Sequence, residues 1–260
     1  MTDLRLGSAV MERSGNGPAV MMVHGLGGTS NSFQTLLDVL GDYEVLRLDL
    51  PGAGRSALRP GQSGIDGMVA FCREALRTAG LERAHFVGHS MGTLVCQHLA
   101  ARDPAAVASL TLFGPMLVPP PAARKALKER AETASRDGMA GIADAICQGS
   151  VGEAARRANP VAGAFVRESV LRQDPRGYAA HCMALSESVA ADHSAITCPT
   201  LLVAGEADPV TPVAMAQKLG EKIKGATVEV LPSVAHWMMV EAPDKSAALL
   251  SEHLKKFAWS

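Results

Sequence analysis

Aromatic residues are scarce in this chain, making up 4% of its 260 residues. A buried core therefore has to consist mainly of alanine, valine, leucine and methionine. Cysteine is scarce too: the five cysteines are scattered, form no CxxC pair and are odd in number. This pattern argues against a disulfide framework and is typical of a protein from a reducing compartment.

An excess of charge of either sign is also missing. The 25 basic and 26 acidic side chains give a formal net charge of −1, which disfavours nucleic acid and acidic membranes as partners. No apolar run approaches the roughly 18 residues that span a bilayer. The N-terminus lacks the basic-then-apolar pattern of a signal peptide. We therefore expect a soluble, cytoplasmic protein.

What the chain does have is a regular alternation of short apolar runs with longer amphipathic segments. This alternation is typical of a largely parallel sheet with helical crossovers. The apolar runs predict strands at 19–24, 44–48, 84–88, 110–113, 200–204 and 227–231. The apolar spacing between them predicts helices at 33–40, 65–79, 91–102, 213–219 and 244–257.

The alternation stops between about residue 122 and residue 190, after a group of prolines, and no strand pattern occurs there. Apolar residues at helical spacing instead predict helices at 123–136, 142–147, 161–171 and 177–188. We expect this segment to be a helical insertion on top of the sheet.

The sequence Gly88-His89-Ser90-Met91-Gly92 fits the G-x-S-x-G pattern, in which a serine occupies a sharp turn between a strand and a helix. It follows a predicted strand and opens a predicted helix, as that geometry requires. Larger residues at the glycine positions would collide with the neighbouring strand and helix. The pattern predicts that Ser90 is a nucleophile.

A serine hydroxyl needs a base to take its proton at neutral pH. His236 follows the last predicted strand through a short loop, at the edge where parallel sheets place catalytic groups. Asp208 follows the preceding strand and is predicted to orient the imidazole, with Glu206 as the alternative in the same loop. The order serine, aspartate, histidine is that of G-x-S-x-G hydrolases.

Acyl transfer also needs donors directed at the developing oxyanion. The backbone N–H of Met91 is one candidate, because it lies at the start of a helix. The backbone N–H of Leu26 is the second, in the glycine-rich loop 24–28. A phosphate-binding role for this loop is excluded, since neither a Lys-Ser/Thr pair nor a Gly-x-Gly-x-x-Gly spacing is present.

Other side chains have secondary roles in this prediction. His24 and His89 are expected to hold the loop and the turn, and Trp237 either lines the pocket or packs beneath it. Four charged residues are predicted to form a solvated helix face: Lys125, Lys128, Glu129 and Arg130. The apolar candidates for lining the substrate pocket are Met116, Leu117, Phe165 and Met183.

Five motifs in this order resemble the α/β-hydrolase superfamily over essentially the whole chain: HGLGG (24–28), DLPGAGRS (49–56), GHSMG (88–92), GEADPVTP (205–212) and AHW (235–237). The resemblance implies an α/β fold, with an eight-stranded, mostly parallel sheet flanked by helices and a helical cap after strand six. It implies a core at 1–115 and 196–260 and a cap at 116–195. It also implies triad positions for Ser90, Asp208 and His236 and oxyanion positions for Leu26 and Met91.

Segments 174–180 and 197–202 are similar to the end of the cap in 3-oxoadipate enol-lactonases and their esterase relatives. The turn around the serine departs from many enol-lactonases, which have Leu where this chain has His89 and Gly where it has Thr93. An enol-lactonase that binds a carboxylate should carry a cation in the cap. The available candidates are Arg124, Arg167 and Arg172.

These observations predict a serine hydrolase that cleaves a carboxylic ester or lactone of a small, partly apolar molecule through an acyl-enzyme. No cofactor is expected, because the activated serine supplies the reactivity. No metal is expected either, because the remaining histidines lack ligand spacing: His85, His98, His181, His193 and His253. Three alternatives stay open: a ligand receptor on the same fold, a carbon–carbon-bond hydrolase and a cofactor-free oxygenase. The sequence makes no prediction about oligomeric state.

Overall fold

An eight-stranded sheet forms the centre of the computed structural model, which describes residues 2–257. The strands are β1 (Thr2–Leu6), β2 (Ala9–Ser14), β3 (Ala19–Val23), β4 (Glu44–Leu48), β5 (Ala84–His89), β6 (Val107–Phe113), β7 (Thr200–Gly205) and β8 (Thr227–Leu231). Their order across the sheet is β1-β2-β4-β3-β5-β6-β7-β8. β2 is antiparallel to β1 and β4, and all other neighbours are parallel. The expected eight-stranded, mostly parallel sheet is confirmed.

Helices occupy most of the connections between these strands. The α-helices of residues 2–257 are α1 (Ile65–Thr78), α2 (Met91–Arg102), α3 (Pro121–Asp137), α4 (Ala140–Ser150), α5 (Glu153–Ala158), α6 (Pro160–Leu171), α7 (Pro175–Glu187), α8 (Val213–Lys222), α9 (Met238–Glu241) and α10 (Pro243–Lys256). Short 3-10 helices occupy Ser30–Val39, Pro104–Ala106 and His193–Ala195. Within this part of the chain no helix combines the length and the apolar character needed to cross a bilayer.

The central strands separate two apolar cores, one on each face of the sheet. In β3, Met21 and Val23 belong to the core that includes side chains of α1 and α2. Val20 and Met22 belong to the opposite core, with Phe33 and side chains of α10. Because helices cover both faces, β3 is an uninterrupted apolar run that is buried throughout. That run is the sequence signal from which the strand was predicted.

The segment between β6 and β7 contains five consecutive helices, α3 to α7. Within it, α3 packs against α7 and α4 packs against α6. The segment packs tightly on the loop after β4 at Gly177, where an added Cβ would lie 1.9 Å from the carbonyl oxygen of Gly52. Only glycine permits this approach. The helical insertion after strand six is therefore confirmed, while its separation from the core as a domain at residues 116–195 stays a prediction.

The structure also contains elements that the apolar pattern did not predict. β1, β2 and α5 were absent from the predicted set, and the predicted helix at 33–40 is a 3-10 helix that begins earlier, at Ser30. The side chain of Thr29 caps that helix by accepting from the N–H of Asn31. The elements β5, α2 and β8, which flank the serine and histidine loops, agree with the prediction, whereas α9, directly after the histidine loop, was not predicted.

All five cysteines are free thiols, four of them buried and one, Cys147, partly exposed. Burial raises the pKa of Cys72 to about 12 and that of Cys198 to about 11. Cys72 and Cys198 are therefore protonated at neutral pH and pack as small apolar groups.

Candidate active site

Ser90 occupies the sharp turn between β5 and α2. Its backbone has φ 51° and ψ −118°, a left-handed conformation that a residue with a side chain rarely adopts. The turn is crowded: a Cβ on Gly92 would lie 2.1 Å from the carbonyl oxygen of Val23, and one on Gly88 would lie 3.0 Å from that of Gly92. The two glycines let α2 start against β3, and this directs the serine side chain away from the sheet.

Three side chains that are far apart in sequence meet at this turn. The Ser90 hydroxyl lies 2.9 Å from Nε2 of His236, and Nδ1 of His236 lies 2.8 Å from Oδ2 of Asp208. Because Nδ1–H donates a hydrogen bond to the carboxylate, Nε2 keeps its lone pair and can accept from the serine hydroxyl. All three side chains are buried. The structure thus brings together the three residues predicted for the triad.

Asp208 is held as an anion by its own loop. Its Oδ1 accepts from the N–H groups of Val210 and Thr211, and its Oδ2 accepts from the Thr211 hydroxyl at 2.7 Å. Burial acts to raise the pKa of Asp208. The charge of His236, together with the hydrogen bonds from His236 and Thr211, outweighs burial and holds the pKa below its usual value.

The alternative acid, Glu206, has a different place in the structure. Its side chain is exposed, and its Oε2 accepts from the N–H of Ser233 at 2.8 Å. It therefore connects the loop after β7 to the loop after β8. The imidazole of His236 is paired with Asp208 instead.

The two predicted oxyanion donors lie beside the serine. Met91 is the first residue of α2, immediately after Ser90. Leu26 lines the same cavity as Ser90 and His236. Its loop comes very close to the serine, since a Cβ on Gly25 would lie 2.8 Å from the Ser90 Cβ. Both residues are therefore near Ser90, and their role as oxyanion donors stays a prediction.

Two further histidines hold the backbone around the site. Nε2 of His24 accepts from the N–H of Leu50 at 3.0 Å, while Nδ1 donates to the carbonyl of Gly25 at 2.8 Å. Nε2 of His89 donates to the carbonyl of His236 at 2.9 Å. Burial, aided by the charge of His236, lowers the pKa of His89 to about 3. Both rings therefore act as neutral framework groups, in the structural role expected of them.

A small cavity of about 170 Å³ opens above the serine. Its wall is mostly apolar, with contributions from the loop after β3, from α3 and α4, and from the residues after the histidine. The principal lining residues are Leu26, Met116, Leu127, Ile146, Leu185, Met215 and Trp237, together with Arg130 and Ser150. A volume this far below the range of about 300–1,000 Å³ for ordinary ligand sites suits a small substrate.

The predicted pocket residues divide into two groups. Trp237 lines the cavity, and its indole N–H donates to the Ser150 hydroxyl at 3.0 Å. Met116 lines the cavity as well. The structure does not bring the other candidates there, for a geometric reason. Phe165 borders a separate polar cleft next to α6, and Met183 faces an outer groove between α3 and α7. Leu117 packs against the apolar core instead.

Arg130 is a cavity residue, contrary to the prediction that it lies on a solvated helix face. It is half-buried and lines the cavity from α3. The signal was present in the sequence, because Arg130 lies three residues after Leu127 and four before Ala134. Both of these are buried, so Arg130 lies on the inward stripe of the helix.

The cap arginines that were considered as substrate cations have other partners. Arg124 donates to the carbonyls of Pro119, Ser186 and Ser188. Arg167 pairs with Asp144 at 2.6 Å, and Arg172 pairs with Glu168 at 2.9 Å. None of these three side chains lines the cavity above Ser90.

The sheet order, the sharp serine turn and the insertion after β6 define the chain as an α/β-hydrolase. Residues 16–243 match the family described as "Serine aminopeptidase, S33", and the chain belongs to that family. The resemblance to the superfamily and to its enol-lactonase and esterase branch is confirmed by individual relatives.

Among curated proteins, 3-oxoadipate enol-lactonase 2 of Acinetobacter baylyi is 29% identical over 246 residues, which cover 92% of this chain and 90% of that protein. A component of the acetoin cleaving system of Cupriavidus necator, a dihydrolipoyllysine-residue acetyltransferase, is 38% identical over 105 residues. This chain spans only 28% of that component. Among solved structures, a thermophilic esterase from Thermogutta terrifontis matches with a TM-score of 0.91 and 25% identity, covering 98% of this chain and 97% of the esterase.

Proposed function

We propose that this hydrolase cleaves a carboxylic ester or lactone through an acyl-enzyme formed on Ser90. The observation that carries the proposal is the continuous chain of hydrogen bonds from the Ser90 hydroxyl through His236 to Asp208, at 2.9 and 2.8 Å. The relatedness to enol-lactonases and esterases supports hydrolysis of this general kind.

In the first half of the reaction, Oγ of Ser90 attacks the substrate carbonyl carbon and its proton passes to Nε2 of His236. Asp208 stabilises the imidazolium that forms. The amide N–H groups of Leu26 and Met91 donate to the oxyanion of the tetrahedral intermediate. The carbon–oxygen bond to the alcohol then breaks, and the leaving oxygen takes the proton from Nε2. In a lactone, that alcohol stays attached to the acyl group.

The second half uses the same groups with water as the nucleophile. Water gives a proton to Nε2 of His236 and its oxygen attacks the acyl carbon. When the intermediate collapses, the bond to Oγ of Ser90 breaks, the proton returns to Oγ, and the free acid leaves. The sum of the two halves is one water consumed for one ester bond cleaved.

The first test is hydrolysis of 4-nitrophenyl acetate by wild type, Ser90→Ala and the control Ser135→Ala, an exposed serine of α3. We expect Ser90→Ala to lower kcat by about 10⁴- to 10⁶-fold, because without the nucleophile only the oxyanion donors and binding remain. Ser135→Ala should behave as wild type. A rate that survives Ser90→Ala would contradict the proposed nucleophile. Ligand binding without turnover of any ester or lactone would favour the receptor alternative.

The cavity also indicates the charge of the substrate. Arg130 contributes a cationic side chain to the mainly apolar wall of the cavity. Its guanidinium lies near the Tyr178 hydroxyl and the Cys182 thiol, and both of these groups are neutral. Within residues 2–257 it forms no ion pair, unlike Arg167 and Arg172. A guanidinium in apolar surroundings binds carboxylates strongly, so we propose that the substrate carries a carboxylate.

Paired substrates test this charge preference: monoethyl succinate carries a carboxylate, and ethyl butyrate has a similar chain without one. In a pH-stat assay, wild type should have the higher kcat/KM on monoethyl succinate. Arg130→Met should lower that value about 10- to 100-fold, through loss of a charge-assisted hydrogen bond, and leave ethyl butyrate nearly unchanged. The matched control is Arg167→Met, which removes a paired arginine outside the cavity. Equal effects of Arg130→Met on both esters would contradict the carboxylate.

A further inference from the structure

The loop that carries His236 has an unusual set of anchors. Three consecutive backbone N–H groups each donate a hydrogen bond to an acceptor outside the loop. Those of Ala235 and Trp237 donate to the two oxygens of the Glu241 carboxylate, at 3.1 and 2.9 Å. That of His236 donates to the carbonyl of Ser150 at 3.1 Å. The backbone on both sides of the histidine is therefore fixed by Glu241, and the histidine itself by the end of α4.

The same carboxylate reaches into the cap. The Oε2 of Glu241 that accepts from Ala235 also accepts from the N–H of Gly152, which follows α4, at 2.9 Å. A second contact runs in parallel, from the indole N–H of Trp237 to the Ser150 hydroxyl. Glu241 is half-buried, and its carboxylate accepts hydrogen bonds from these three backbone N–H groups. Within residues 2–257 it has no cationic partner. One side chain thus bridges the histidine loop and the cap.

We propose that Glu241 is a positioning residue that couples the cap to His236. The inference rests on the proposed function, because it assigns the position of the base in that reaction. Nε2 of His236 has to stay within hydrogen-bond reach of the Ser90 hydroxyl, and a misplacement of about 1 Å can cost about 100-fold in rate. Since the carboxylate holds Ala235, Trp237 and Gly152 together, movement at residue 152 in the cap moves the backbone of the base.

Gly152 allows this coupling to be tested from the cap side. An added Cβ there would lie 2.8 Å from Oε2 of Glu241, so Gly152→Ala must displace the carboxylate. The matched control is Gly149→Ala, three residues earlier in α4, where an added Cβ meets nothing within 4 Å. With 4-nitrophenyl acetate we expect Gly152→Ala to lower kcat about ten-fold at nearly constant KM, and Gly149→Ala to stay within about two-fold of wild type.

Glu241→Gln tests the same contact from the other side. The amide keeps one acceptor oxygen but turns an NH₂ group towards backbone N–H groups, so at least one of the three hydrogen bonds is lost. We expect a decrease in kcat of about 10- to 100-fold. Because both substitutions break one interaction, the double variant should be little worse than Glu241→Gln alone. Glu206→Gln, which removes a carboxylate that holds Ser233 in the same loop, should have a much smaller effect.

Hydrogen exchange separates this inference from the proposed function, because it needs no turnover. Amide exchange in a peptide covering residues 233–240 should be faster in Gly152→Ala and in Glu241→Gln than in wild type and in Gly149→Ala, while exchange in a peptide covering β5 stays the same in all four proteins. Failure of wild type to cleave esters, with this exchange pattern present, would remove the proposed reaction but leave the coupling. Equal kcat and equal exchange in Gly152→Ala and Gly149→Ala, or fully additive effects in the double variant, would overturn the coupling.

Discussion

At the scale of single residues, Ser90 combines the proposed nucleophile with an unfavourable backbone conformation. Its φ of 51° and ψ of −118° are imposed by the contact between α2 and β3 at Gly92, and not by any preference of serine. Non-glycine residues in such regions carry strain of about 1–3 kcal/mol. The protein therefore keeps a side chain at position 90 at a cost in stability, and this cost is measurable.

We expect Ser90→Gly to be more stable than Ser90→Ala by about 1 kcal/mol, because glycine adopts this backbone conformation without strain. Glycine also increases the conformational entropy of the unfolded chain, but this cost is smaller than the strain that is released. Urea unfolding of both variants measures the difference. The control position is Ser135 in α3, where the backbone is helical and Gly should be less stable than Ala by about 1 kcal/mol. The same order at both positions would show that the turn is not strained.

Individual site residues differed in how far the sequence revealed them. Ser90, Asp208 and His236 were predicted because each follows a strand, and the ends of parallel strands meet at one edge of a sheet whatever the loops do. The roles of Arg130 and Glu241 were not predicted, since their partners are set by the packing of the cap. A helical stripe marked Arg130 as inward, but nothing in the sequence indicates that Glu241 receives an N–H from Gly152.

At the scale of elements, the buried parallel strands were predictable and the antiparallel edge was not. β3 and β7 are apolar runs, because both of their faces are covered. β1 lies at the edge of the sheet and is mostly exposed, so its residues Thr2–Leu6 lack an apolar run. The beginning of the 3-10 helix at Ser30 was missed for a similar reason: its first residues are polar, and its start is marked by the capping pair Thr29 and Ser32.

The number of helices in the cap was predicted only approximately. Four helices were expected and five are present, since α5 is six residues long and has no buried face. Periodicity detects a helix by its apolar stripe, so a helix without one gives no signal. The order of the five helices also leaves their packing open. In the structure α3 packs on α7, and this brings Arg130 next to Tyr178. The pairing of these two helices depends on how the whole segment folds, which their order in the sequence does not specify.

At the scale of the whole molecule, four buried histidines should make the protein sensitive to mild acid. Burial lowers the pKa of His89 to about 3 and the pKa values of His85, His181 and His253 to about 4. In the unfolded chain these groups titrate near 6.5. Between pH 6.5 and 4 the unfolded state therefore binds more protons, so the free energy of unfolding falls as the pH falls, by up to about 1.4 kcal/mol per pH unit for each group.

The measurement is the urea midpoint from pH 7.5 to pH 4.5, which should decrease continuously below about pH 6.5. Asp49 and Asp208 have lowered pKa values, so the stability they contribute is lost only at still lower pH, and the decline above pH 4.5 isolates the histidines. His89→Leu should have a shallower dependence on pH, because the unfolded chain then gains one proton fewer relative to the folded protein. A midpoint that stays constant from pH 7 to pH 5 would contradict the prediction.

The hydrogen bond between Ser90 and His236 joins residues 146 positions apart, with the whole helical insertion between them. A chain leaving the ribosome exposes its serine long before the histidine has been translated. Under the proposed mechanism, a chain in which β8 has not yet paired with β7 lacks the base beside Ser90 and is inactive. During refolding from denaturant, recovery of turnover should for that reason lag behind the return of helical circular dichroism.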